Sequence, residues 1–191
     1  MVASVTRLGT LTGSLRAESY SRRVALAVAD LIPEDARISE LPSVGLLPHF
    51  DQDLLADGVP QSVANLSQAL AEQDGLVLVS PEYNWSIPGV LKNALDWLSR
   101  LHPMPLKDLP VLIVTASPGL LGGARAHAPI RNVLHSLDCR ILARPEIQIA
   151  RVPEKLAVDT PRISDPQTAA FLRERLQAFV EFVHVQRGRP G

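Results

Sequence analysis

Three short stretches carry the residue types that could do chemistry. The first runs Thr12-Gly13-Ser14-Leu15-Arg16-Ala17-Glu18-Ser19-Tyr20-Ser21-Arg22, with a glycine for a tight turn, hydroxyls at Thr12, Ser14, Ser19 and Ser21, and a guanidinium at Arg16. It lies just ahead of a segment with helical period. A helix start offers unpaired N–H groups and partial positive charge, which suit a phosphate, and hydroxyls with a guanidinium complete such a site without a metal. The competing reading is that Ser19 only caps the helix. No Gly-Lys-Ser/Thr follows and no Gly-x-Gly-x-x-Gly occurs at this turn, so a monophosphate fits better than a nucleotide polyphosphate. The second stretch is Pro81-Glu82-Tyr83-Asn84-Trp85-Ser86-Ile87-Pro88-Gly89, where two scarce aromatics offer ring surface and exposed backbone amides could reach a heterocycle. Against that stands a rigid connection in which Tyr83 and Trp85 merely cover the core. The third, Ser117-Pro118-Gly119-Leu120-Leu121-Gly122-Gly123-Ala124-Arg125, has three glycines that allow positive φ and close backbone approach to a ligand.

Other constellations are weaker. His49, His102, His127, His135 and His184 are scattered; no His-Glu-x-x-His occurs, and Cys139 has no second cysteine, so structural or surface roles are expected for the histidines. No Gly-x-Ser-x-Gly elbow supports a hydrolase. Glu82 and Arg100 bracket a helical segment, and either an ion pair, a subunit contact or a plain surface role would suit them.

The elements that must position these loops alternate between apolar runs and segments of helical period, which predicts βα repeats and a mostly parallel sheet. Strands are predicted over 5–11, 36–41, 76–80, 109–116 and 140–149, the last broken by Pro145. Helices are predicted over 19–31, on Val59, Val63, Leu66 and Leu70, over 90–100, on Ile130, Val133, Leu134 and Leu137, and on Leu172, Leu176, Phe179, Val180 and Val183. Residues 42–57 form a long punctuated connection, and 153–166 read as surface loop. Each chemistry-bearing stretch thus follows a strand, where open α/β sheets bind their ligands. The helix over 90–100 is apolar on more than one face, which is consistent with an additional buried contact of the kind oligomerisation would supply.

The whole chain, 1–191, reads as a single domain with a core over about 5–185. Its 19 Lys+Arg against 20 Asp+Glu leave a net charge of −1 and no basic stripe for nucleic acid. Arg187 and Arg189 read as a frayed tail. There is no signal-peptide pattern and no membrane-spanning apolar run, and a single cysteine points to a reducing compartment, so a cytoplasmic protein is expected.

The sequence resembles the NAD(P)H-dependent FMN reductase family, in particular its quinone- and chromate-reducing members. Three motifs in order carry the resemblance over about residues 5–150: Gly13-Ser14-Leu15-Arg16-x-x-Ser19; Pro81-Glu82-Tyr83-Asn84-x-Ser86-Ile87-Pro88-Gly89-x-Leu91-Lys92-Asn93-Ala94-Leu95-Asp96-Trp97; and Ser117-Pro118-Gly119-x-x-Gly122-Gly123-Ala124-Arg125. The resemblance implies a flavodoxin-like α/β fold, a five-stranded parallel sheet with helices on both faces, and noncovalently bound FMN. By it, Ser14, Leu15, Arg16, Ser19 and Ser21 would hold the FMN phosphate. Pro81, Glu82, Tyr83 and Asn84 would line the isoalloxazine and ribityl chain, with Ser117, Pro118, Gly119, Gly122 and Gly123 closing the other side. It further implies hydride passed from NADPH or NADH through FMN to quinones, flavins, azo compounds or metal oxyanions such as chromate, with no catalytic acid–base dyad. A homodimer or homotetramer is implied as well. The sequence departs at Ser21, where the family usually has asparagine, and at Ala128-Pro129, where close relatives carry tyrosine and histidine. Pro129 predicts that the fourth helix starts later or kinks. The rival readings are an FMN-binding electron carrier without NAD(P)H oxidation, which is usually far more acidic, and a flavin-free α/β domain.

Overall fold

The structure is a computed structural model and describes residues 5–188. Six parallel strand segments form one sheet: β1 (Thr6–Thr12), β2 (Ala36–Glu40), β3 (Gly75–Ser80), β4 (Pro110–Ala116), β5 (Arg140–Ile141) and β6 (Ile147–Ile149). The spatial order is β2-β1-β3-β4-β5, with β6 also paired to β4, which is the flavodoxin-like order. The predicted fifth strand is therefore one lane in two pieces. Ile141 pairs with Val111 and Ile147 with Val114, so six steps of chain answer three on β4 and the excess loops out around Pro145. Proline has no N–H for the ladder, which is why the break falls there.

Every residue of β3 and β4 is buried, as expected of strands covered on both faces. Successive side chains alternate between two cores. On one face Leu8, Val77, Val79 and Val114 pack with Val24 and Val28 of α1 (Tyr20–Val28) and with Phe179, Val180 and Val183 of the last helix. On the other, Leu76, Leu78, Val111 and Ile113 meet three more helices: α3 (Gln61–Ala71), α4 (Gly89–Ser99) and α5 (Ala124–Ser136). The connection over 42–57 contains a 3₁₀ turn (Val44–Leu46) and the short α2 (Gln52–Ala56).

Four expectations need correction. The second apolar face of α4 is covered within the chain: Phe50 meets the Trp97 ring edge-on at 5.0 Å, while Trp97 Nε1 and Asn93 Nδ2 both donate to Pro48 O. Helix α5 does not start late; it begins at Ala124, after Gly123 at φ 86°, and runs through Pro129. Proline there removes one N–H, toward Arg125 O, near the end whose first N–H groups lack partners in any case.

Residues 153–166 are not simply loop. They include most of α6 (Val152–Lys155) and a bridge between Leu156 and Ile163, both buried in the core. Asp165 then caps α7 (Pro166–Arg187), its Oδ2 accepting from Thr168 N, and Lys155 Nζ lies 3.0 Å from the same oxygen. Hydrogen bonds from Thr168, then Lys155, hold the Asp165 carboxyl down at about 2. Finally, Arg187 belongs to α7 and pairs with Asp74 at 2.9 Å instead of fraying, whereas Arg189 lies outside the described residues.

Candidate active site

Strands β1, β3 and β4 lie side by side, and the three chemistry-bearing stretches emerge together at their carboxyl ends. The first is folded tightly onto β3: Gly13 N–H donates to Val79 O at 3.0 Å, and Ser19 N–H to Arg16 O at 3.0 Å. A Cβ on Gly13 would stand 2.9 Å from Ser80 Oγ and 3.1 Å from Leu91 Cδ2, so the close approach of the turn to β3 requires glycine. Ser19 caps α1, its Oγ 3.5 Å from Arg22 N. Capping and ligand binding are compatible, because the N–H groups of Ser14 to Glu18, Tyr20 and Ser21 find no partner among the described residues. A cavity of about 220 Å³ beside them is lined by Ser14, Leu15, Arg16, Arg22, Glu40 and Ser43, among others. Ser14, Ser19 and Ser21 are buried, while Leu15 and Arg16 are exposed. The Arg16 guanidinium rests 5.3 Å from the Tyr20 ring centroid, and Arg22 Nε meets Glu40 Oε1 at 3.2 Å on the rim.

The second stretch is a miniature hairpin. Tyr83 and Ser86 exchange both backbone hydrogen bonds at 3.0 Å, and the two turn residues have positive φ, Asn84 at 49° and Trp85 at 64°. Two-residue turns of this handedness match strand twist, but they normally hold asparagine or glycine. Trp85 is 69% exposed and Tyr83 is also exposed, so neither covers the core. Tyr83 Oη lies 3.4 Å from Ser14 Oγ, tying this loop to the first. Glu82 ties it to the third: Oε2 accepts from Arg125 N at 2.9 Å, and Arg125 Nη1 is 4.0 Å from Oε1. Glu82 thus pairs with Arg125 and not with Arg100, whose guanidinium sits 5.6 Å from the Phe50 ring centroid.

The third stretch is held from behind by a segment that the sequence did not single out. Ser117 N–H donates to Ile149 O, Arg151 N–H to Gly119 O, and Val152 N–H to Ser117 O, all at 3.0–3.1 Å. A Cβ on Gly122 would come within 2.7 Å of Ala150 N, and one on Gly123 within 2.8 Å of Thr115 Cβ. Residues 148–152 therefore fix the shape of the loop while Pro118 and Gly119 stay exposed. The Pro145 break was the one sequence signal near them, and it spoke of a strand ending, not of a support.

Two buried groups with shifted pKa values lie outside the three loops. His127 is buried in α5, its Nε2–H donates to Ile147 O at 3.1 Å, and burial lowers its pKa below the ordinary value. Burial pushes the Cys139 thiol up to about 12, and its Sγ donates to Leu106 O, so it is no nucleophile. Among the described residues no group of three His, Cys, Asp or Glu could hold a metal. Larger cavities exist, one of about 340 Å³ beside Arg7 and Gln73 and one of about 480 Å³ between α3 and the turn after α4. Neither touches any of the three loops. The free N–H array, buried hydroxyls and Arg16 suit a phosphate monoester. Exposed ring surface and glycine-rich backbone suit a flat heterocycle, so the donor set fits FMN.

Comparison with known proteins agrees with this geometry. The model of the NADPH-dependent FMN reductase family matches residues 6–154. A quinone reductase of Escherichia coli (strain K12) is 40% identical over 175 residues, covering 91% of this chain and 93% of its own. An NAD(P)H-dependent FMN reductase of Pseudomonas aeruginosa is 34% identical over 178 residues, 93% of this chain and 95% of its own. Among solved structures, the flavoenzyme NAD(P)H:(acceptor) oxidoreductase FerB from Paracoccus denitrificans superposes with a TM-score of 0.87 at 32% identity, over 95% of this chain and 99% of its own.

Proposed function

We propose a quinone-reducing cycle for this chain, which belongs to the NADPH-dependent FMN reductase family. The protein is an NAD(P)H-dependent oxidoreductase of the quinone-reductase type, with FMN as cofactor. FMN supplies a centre that takes hydride from NAD(P)H and passes two electrons on. In balance, one NAD(P)H and one solvent proton convert a quinone to its hydroquinone and leave NAD(P)⁺. The residues bind and orient. Ser14, Arg16, Ser19 and Ser21, with the free N–H groups around Leu15, hold the phosphate. Pro81, Glu82, Tyr83 and Asn84 line the ring and ribityl chain, and Ser117, Pro118, Gly119, Gly122 and Gly123 close the far side. The single observation that supports this reading best is the run of N–H groups at Ser14 to Glu18, without partners among the described residues, beside Arg16. Flavins, azo compounds and chromate are further acceptors of the same cycle. We further take the chain as one FMN-binding domain, working in the cytoplasm where NAD(P)H is at hand, as a homodimer or homotetramer.

An anaerobic titration of the FMN-loaded protein with NADPH, then NADH, tests the cycle. Prompt bleaching of the visible flavin band, reversed by a quinone, is the expected result and ranks the two donors. Bound flavin that stays yellow identifies an electron carrier instead, and a protein that holds no FMN overturns the reading.

A further inference from the structure

We propose that Arg22 and Glu40 set which phosphate the cofactor site accepts. Arg22 is a second cation for a terminal phosphate monoester, and Glu40 turns away an anionic group joined beyond it. The inference rests on the placement of the FMN phosphate proposed above. Three charged side chains line the cavity of about 220 Å³ at the first loop: Arg16, Arg22 and Glu40. Arg16 belongs to the loop itself, Arg22 to the first turn of α1 and Glu40 to the end of β2, so the charges reach the cavity from separate elements.

Arg22 meets Glu40 through a single donor. Its Nε donates to Glu40 Oε1 at 3.2 Å, and its Nη1 and Nη2 groups make no hydrogen bond among the described residues. The side chains are 47% and 42% exposed, and a surface pair of that kind adds little to stability. It does fix the direction of the guanidinium. Held by Nε, the group keeps its Nη edge open for oxyanions. Two cations and the N–H groups of Ser14 to Glu18 match a dianionic monoester. The second phosphate of a dinucleotide such as FAD is bonded directly to the first and leaves the cavity across the rim, where Glu40 stands. Like charges repel there, so the dinucleotide is refused by an unfavourable contact and not for want of a favourable one. A pair that only stapled α1 to β2 would serve every flavin alike.

The test is calorimetric titration of the flavin-free, full-length chain with riboflavin, FMN and FAD. Wild type should bind FMN more tightly than either of the others. Arg22→Gln should weaken FMN binding about tenfold, the scale of one lost charge-assisted hydrogen bond, and leave riboflavin unchanged. The capping bond from Arg22 N to Ser19 Oγ is backbone and survives the replacement. Arg22→Lys should restore part of the loss. Glu40→Gln should move the ratio of Kd for FAD over FMN about three- to tenfold toward FAD. Arg22→Gln should still weaken FMN binding in the Glu40→Gln background; no loss there would mean that Arg22 only neutralises Glu40, which overturns its contact with phosphate. Equal losses on riboflavin and FMN, or an unchanged FAD-to-FMN ratio, overturn the proposal while a wild type that favours FMN over riboflavin keeps the phosphate placement intact. Wild type that binds riboflavin as tightly as FMN overturns both.

Discussion

Arg16 and Gly122 show how single residues decide the site. Arg16 is exposed, its guanidinium supported by the Tyr20 ring, and lies beside seven backbone N–H groups that find no partner among the described residues. Arg16→Ala should weaken FMN binding by about 1.5–3 kcal/mol, roughly ten- to a hundredfold in Kd, because a charged hydrogen bond is lost. Titration of FMN fluorescence with the apoprotein measures it, and an unchanged Kd removes Arg16 from the phosphate site. Gly122 acts through backbone alone. Its φ of 59° is one that L side chains rarely adopt, and a Cβ there would stand 2.7 Å from Ala150 N and 2.8 Å from Gln148 C. Gly122→Ala should cost about 1–3 kcal/mol of stability by forcing residues 148–152 away, and FMN affinity should fall with it. Urea denaturation reads the first effect, and wild-type stability in the variant would show that the support behind the loop yields freely.

At the scale of elements, helix α5 and strand β6 are pinned together by His127 Nε2–H donating to Ile147 O. Burial lowers the pKa of this histidine. The Ile147 carbonyl and then Glu146 oppose the shift, and Arg131 adds to it, without reversing it. In the unfolded chain the imidazole titrates near ~6.5. Below that value the unfolded chain takes up a proton that the folded protein resists. Stability is therefore full above about pH 6.5 and declines as pH falls toward the lowered folded value. His127→Gln, which keeps a donor but does not titrate, should flatten this acid limb in urea midpoints measured from pH 8 down to 5. An equally steep limb in the variant would assign it to other groups.

Across the whole molecule, the chain's end is tied to its centre through Asp74. This carboxylate, with a side chain only 5% exposed, precedes β3, accepts from Arg7 N at 2.8 Å and pairs with Arg187 of α7 at 2.9 Å. Asp74→Ala strands the Arg7 N–H of β1 and frees the last turn of the long helix that closes one core. The expected loss is about 1–3 kcal/mol. Faster amide exchange should appear at the carboxyl end of α7 and not in β3. Uniform loss of protection would mean that the tie is global instead of local.

Much of this architecture was legible in the chain. Apolar runs alternating with helical period place four of the five sheet lanes to within a residue or two, most plainly β3 and β4, because strands buried on both faces must be apolar throughout. The three loops were legible too, since glycines, hydroxyls and Arg16 follow those strands directly. What the sequence left open depends on contacts between distant residues. Glu82 had two arginines within plausible reach, and only the packing of β3 against β4 brings Arg125 to it while Phe50 takes Arg100. The second apolar face of α4 looked like a subunit contact until residues 48–50 were folded across it. Residues 148–152 carry no motif, because they act through backbone N–H groups and close approach, which one residue type serves about as well as another. Local pattern therefore determined the elements and the chemistry offered at their ends. Tertiary structure alone decided which charges meet, which ring stays in solvent and what holds the third loop, since each depends on distances between segments that are far apart in the chain.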